Sequence, residues 1–255
     1  MGRERFASSV AGCLRGCTMF AILLGGFSIQ CSADSITIVG SSRTLSAAAT
    51  FEQINATDLR VTLANTSNGD VLVPSDVLTA VFFTLAGHPK LTPVSAVISA
   101  DSTVLFGGTD PGGVVGGEWA YRNNLKHTPL GARDGISSSG LNLFGPFDVF
   151  PGSNLDAEVS PGGLDYGLTS AGDDPTTGNT PVTGSFPLIK NSVVFILTGL
   201  PANYVLDASS ISRLSFQYGT AMQSQPNLAG QVIPDAPTWA LVLGGLLSLA
   251  AFRRR

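Results

Sequence analysis

Between residues 34 and 233 no segment sustains a 3.6-residue apolar period over three turns. That absence rules out a helical bundle and leaves short strands as the means of burying apolar surface. Leu59-Arg60-Val61-Thr62-Leu63 alternates apolar and polar at every step, the pattern of a strand with one face buried. Ser35–Val39, Thr44–Ile54, Val77–Leu85, Val94–Ser99, Thr103–Phe106, Ser192–Leu200 and Ile211–Tyr218 read as further strands. In the second of these, Leu45, Phe51 and Ile54 are the expected inward residues. In the last, Ile211, Leu214 and Phe216 fall out of strict alternation. Turn chemistry separates the runs, as in Asn65-Thr66-Ser67-Asn68-Gly69-Asp70, and the chain carries 30 glycines. Eight to ten strands on this spacing predict an all-β fold: a single β-sandwich domain, jelly-roll-like, over residues 34–223. Residues 224–233 read as a linker.

The middle of the chain is looser. From Ser137 to Gly184 glycine, serine, aspartate and proline dominate, punctuated by Phe144, Phe147 and Phe150. A loop of that length inside a compact domain is uncommon, so short irregular strands and packed loops are expected there. Just before it stands a compact aromatic element, Glu118-Trp119-Ala120-Tyr121. A carboxylate beside two rings is the equipment of a sugar site, which makes Glu118, Trp119 and Tyr121 candidate glycan contacts. A glycosidase would need a second carboxylate at a set distance, and Asp134 or Asp148 are the available ones. An aromatic core anchor explains the same residues. Asp156, Glu158, Asp165, Asp173 and Asp174 crowd a loop-like stretch and are candidate calcium ligands. Their spacing matches no EF-hand or calcium-binding repeat. The two histidines, His88 and His127, both sit in turn-like contexts, and no Gly-x-Ser-x-Gly elbow accompanies them. No cofactor and no catalytic residue are expected.

All three cysteines, Cys13, Cys17 and Cys31, precede a stretch ending Cys31-Ser32-Ala33. Before it come Arg3, Arg5 and Arg15 and an apolar run from Met19 to Ile29. A basic leader, an apolar core and small residues before a cut form a secretory signal peptide over residues 1–33, a substrate for signal peptidase. The remainder would then hold no cysteine and need a core that stands without disulfides. Residues 34–237 carry eight Lys and Arg against 17 Asp and Glu, a net −9 that the whole-chain value of −4 conceals. An acidic body disfavours nucleic acid as a partner.

The end of the chain reads Pro234-Asp235-Ala236-Pro237-Thr238-Trp239, then an uncharged run from Ala240 to Phe252, then Arg253, Arg254 and Arg255. Thirteen helical residues span roughly 20 Å, against a bilayer core of about 30 Å. With Trp239 at one interface and the arginines at the other, residues 238–252 read as a short transmembrane segment with its basic end in the cytoplasm. These residues resemble a PEP-CTERM signal, the tag that bacterial exosortases read. In that pattern Ile233, Pro234 and Asp235 take the Val, Pro and Glu positions, and Ala236 stands where a second proline is expected. The Pro-Asp pair is similar to the sister tag that begins Val-Pro-Asp. Gly116–Tyr121 and Phe216–Thr220 also resemble segments of exosortase-dependent surface proteins. The resemblance implies a sorting signal over residues 234–255, an exosortase-type enzyme as partner, and passage through the inner membrane to the cell surface or medium. It also implies a structural or adhesive role in a polysaccharide or biofilm matrix rather than catalysis. A carbohydrate-binding or carbohydrate-cleaving domain, or a plain single-pass anchored protein, would fit the same residues.

Overall fold

The computed structural model describes residues 35–106, 112–222 and 227–233. The expected signal peptide, sorting motif and transmembrane segment lie outside these residues. No helix among the described residues is long and apolar enough to cross a membrane.

Among the described residues there are fourteen strands and three short 3-10 turns, and no α-helix. The first three are β1 (Ser35–Ser42), β2 (Leu45–Gln53) and β3 (Asp58–Asn65), an antiparallel meander. Arg43 and Thr44 make the two-residue turn between β1 and β2, with Arg43 at φ 51°. Left-handed backbone at such a turn matches the twist of the flanking strands. Next come β4 (Leu78–Leu85), β5 (Thr92–Ile98), β6 (Thr103–Leu105), β7 (Ala120–Arg122) and β8 (Asp134–Ser137). They are followed by β9 (Leu168–Thr169), β10 (Leu188–Lys190), β11 (Ser192–Thr198), β12 (Ile211–Tyr218), β13 (Asn227–Ala229) and β14 (Gln231–Val232).

The strands form two sheets. One has the order β14-β1-β2-β3-β11-β5, and the other β13-β12-β4-β9-β10-β6, with β8 paired to β4 and β7 to β8. The main core lies between them. Ala47, Ala49 and Phe51 of β2 and Leu59, Val61 and Leu63 of β3 meet Val81, Phe83 and Leu85 of β4 and Phe216 and Tyr218 of β12. Phe51 and Phe83 touch edge to face across the two sheets, ring centres 5.1 Å apart. Each large apolar side chain so buried contributes about 1.5–3 kcal/mol. Polar ties reinforce the stacking: the Tyr218 hydroxyl donates to the Ser46 carbonyl at 2.9 Å, and Asn65 donates to the Leu168 carbonyl at 3.0 Å.

β4 is buried on both faces. Its even-numbered residues Ala80 and Phe82 pack against a second cluster that includes Leu125, Leu141 and Phe144. The looser middle of the chain therefore covers the outer face of the second sheet. This explains why Val77–Leu85 is apolar throughout rather than alternating.

Two expectations are corrected and a third is explained. Phe51 points inward and Leu45, half-buried, packs against the same core, but Ile54 lies past the end of β2. Side chains three apart on a strand face opposite ways, so Phe51 and Ile54 cannot share one face. The uneven spacing in Ile211–Tyr218 marks a β-bulge: between Ser212 and Ser215 one extra residue is accommodated, with Arg213 at φ 53°. The expected linker at 224–233 is a structural strap through residues 227–233. β13 closes the second sheet on β12, and β14 closes the first on β1. The chain changes sheets at Gly230, where an added Cβ would fall 2.5 Å from Leu214 and 2.7 Å from Ile38.

Candidate functional site

The segment Gly116–Arg122 begins with a tight 3-10 turn, Gly116–Glu118, and continues as β7. Its two glycines permit a close approach of backbones. An added Cβ on Gly116 would overlap the Pro151 carbonyl, and one on Gly117 would overlap Ser153 and Asn154. From this turn the side chains alternate: Trp119 and Tyr121 enter the main core and Ala120 the outer cluster. Trp119 is fully buried, its ring 5.0 Å from that of Phe195. Tyr121 is 3% exposed and donates its hydroxyl to Asp134 at 2.9 Å. Burial holds the Asp134 carboxyl above its ordinary range and the Tyr121 phenol above its own.

Glu118 is 4% exposed. Its Oε1 accepts the Leu155 N–H and, at 3.1 Å, the Asp156 N–H. The carboxylate thus binds its own chain, fixing the loop at 154–158 against the glycine turn. Glu118, Trp119 and Tyr121 are consequently core and clamp residues, and Trp119 presents no face on which a sugar ring can stack. The aromatic density that suggested a site marks the place where the long middle loop is anchored.

The five candidate calcium ligands separate into two groups. Asp156, Glu158 and Asp165 gather near Glu118. Burial pushes Asp156 up to about 8, helped by its hydrogen bond to Glu118 and by the charges of Glu118, Asp165 and Glu158. Burial and then the charge of Glu158 push Asp165 up to about 6. Asp173 and Asp174 lie elsewhere, beside Asp70. Asp173 accepts the Val71 N–H at 2.9 Å, and burial raises its carboxyl. Asp174 caps its own turn, accepting from the Thr176 N–H and hydroxyl at 3.0 and 2.8 Å, and these bonds lower it. Among the described residues no three or more His, Cys, Asp or Glu side chains are arranged to hold a metal ion. His88 and His127 occupy turns with left-handed backbone, φ 48° and 61°.

The exposed aromatic of this region is Phe147. It is 97% exposed, at the tip of the turn Gly145-Pro146-Phe147-Asp148. The Asp148 N–H donates to the Gly145 carbonyl at 3.2 Å, and the Gly145 N–H donates to Asp148 Oδ2 at 2.8 Å. The turn is tied to β7 by the Tyr121 N–H, which donates to the Asp148 carbonyl at 2.8 Å. Arg122 lies 3.5 Å from Asp148 Oδ2 and donates to the Leu143 carbonyl at 2.8 Å. Beside the turn is a shallow cavity of about 340 Å³ lined by Thr92, Arg122, Asn123, Phe147 and Asp148 together with Leu91, Pro93 and Tyr121, the one expected glycan contact that borders it.

Comparison with family models, with curated proteins and with solved structures returns no match to this chain. The functional reading rests on the residues themselves.

Phe147 carried a signal in the sequence. Proline is favoured at the second position of a turn, and aspartate bonds back to nearby backbone. Gly-Pro-Phe-Asp therefore places the phenyl at the third, outward position. The adjoining Arg122, Asn123 and Thr92 come from distant segments, and only the folded sheets bring them to it.

Proposed function

We propose that this chain is an exported surface or extracellular-matrix protein with a structural or adhesive role, processed at its C-terminal tail by an exosortase-type enzyme. Signal peptidase would remove residues 1–33. The tail would hold the chain in the inner membrane until cleavage within Pro234–Thr238 releases the body or attaches it at the surface. In this reading the protein is a substrate for sorting and carries no catalysis of its own. The observation that carries it is the tripartite tail, Pro234–Thr238, the apolar run and Arg253–Arg255. A cysteine-free acidic body with a large two-sheet core supports it, because such a body folds outside the cytoplasm without disulfides. The finer jelly-roll-like topology belongs to the same proposal. It draws support from the way the chain passes between the sheets at β3–β4, β4–β5, β5–β6, β10–β11, β11–β12 and β13–β14.

The test is the intact mass and the terminal peptides of the protein recovered from the envelope and medium of its native host. Loss of about the first 33 residues and of everything after about Thr238 is the expected result. A mature chain still ending in Arg255 would make the tail a lasting anchor and overturn the sorting reading.

A further inference from the structure

We infer that the Phe147 turn and the cavity beside it form a binding site for a neutral pyranose sugar. The inference deepens the adhesive reading by naming the class of ligand. It stands on four features of the site.

The first is the ring. Phe147 is almost wholly exposed while the other phenylalanines of this region, Phe144 and Phe150, are buried. An aromatic face carries negative charge density, and the C–H bonds on one face of a pyranose present positive density to it. The second is the surround. Thr92, Asn123, Arg122 and Asp148 offer a hydroxyl, an amide, a guanidinium and a carboxylate around the ring. Such mixed donors and acceptors match sugar hydroxyls, which both donate and accept. Leu91, Pro93 and Tyr121 line the same cavity, so the lining mixes apolar and polar groups as a pyranose mixes C–H and O–H.

The third feature is rigidity. The turn holds two internal hydrogen bonds, a proline, and the backbone bond from Tyr121. A ring held out in this way loses little freedom on binding, so more of the contact energy appears as affinity. The fourth is charge. The one guanidinium in the cavity already faces the carboxylate of Asp148. With the body at net −9 as well, the surround favours a neutral sugar over an acidic one.

The experiment uses the full chain, held in detergent, on an array of neutral and uronic-acid oligosaccharides. Retention of neutral sugars is expected. Phe147→Ala, a change at an exposed position, should weaken binding by about tenfold or more while the melting temperature stays put. Phe147→Trp should keep the binding or tighten it. A wild-type chain that binds no sugar, or a Phe147→Ala chain that binds as well as wild type, would overturn the site. Preference for uronic acids would overturn its neutral specificity. Neither result bears on tail processing, which the terminal masses read separately.

Discussion

At the scale of single residues, glycine and tryptophan in Gly116–Tyr121 do different work, and each has its own test. Gly117 lies against the backbone of Ser153 and Asn154, so a methyl group there has no side chain to push aside. Gly117→Ala should destabilise the fold by about 2–3 kcal/mol, as overpacking does, read by urea unfolding. An unchanged midpoint would mean that the loop at 151–158 can retreat from the turn. Trp119 is fully buried against Phe195, and Trp119→Ala should cost about 3–5 kcal/mol. Loss of sugar binding in that variant would report unfolding, which is why Phe147 is the better probe. A small loss, under about 1 kcal/mol, would contradict full burial of the indole. The residue types of the segment were legible in the sequence, but their direction was not. Glu-Trp-Ala-Tyr admits both a core anchor and a surface cluster, because the face that a short strand buries depends on what covers it. Here β7 pairs with β8 and sends Trp119 toward β11.

Among the elements, the strap at residues 227–233 is the one whose role the sequence hid. Its two strands are three and two residues long, too short for alternation to register, and Gln, Asn and Gly give it the composition of a linker. Strand pairing with distant partners, not local propensity, makes it regular. The long strands were legible for the opposite reason. β3 alternates buried and half-buried residues along its whole length, and β4 is apolar on both faces because both are covered. The broken alternation of Ile211, Leu214 and Phe216 also carried real information, since it marks the bulge at Arg213. The strap joins β12 in one sheet to β1 in the other. A chain ending at Met222 should therefore melt at a clearly lower temperature than one ending at Ile233, with weaker near-ultraviolet dichroism from Phe216 and Tyr218. Equal melting curves would show that the sandwich closes without the strap.

For the molecule as a whole, the distribution of its carboxylates sets the dependence of stability on pH. Asp58, Asp70, Asp174 and Asp207 are lowered from 3.8 by side-chain and backbone hydrogen bonds. Their contribution is present above that value and is lost as pH falls through the lowered range. Asp156 and Asp165 act in the opposite sense. Buried near Glu118 and Glu158, they stand at about 8 and about 6, against 3.8 in the unfolded chain. The folded state therefore holds protons that the unfolded state releases. The stability linked to them is complete below about pH 4, and it is lost as pH rises through 6 and then 8. Melting temperature should peak on the acid side of neutrality and decline toward about pH 8, most steeply between about pH 4 and 6, where the folded state holds both protons, and then more gently until Asp156 ionises. Differential scanning calorimetry at constant ionic strength reads the profile. Asp156→Asn supplies an amide that can donate to Glu118 at every pH, so it should flatten the upper part of the decline and raise the melting temperature at about pH 8. A profile that is level or rising from about pH 5 to 9, or a decline unaltered in Asp156→Asn, would mean that these carboxylates relax apart rather than share a proton.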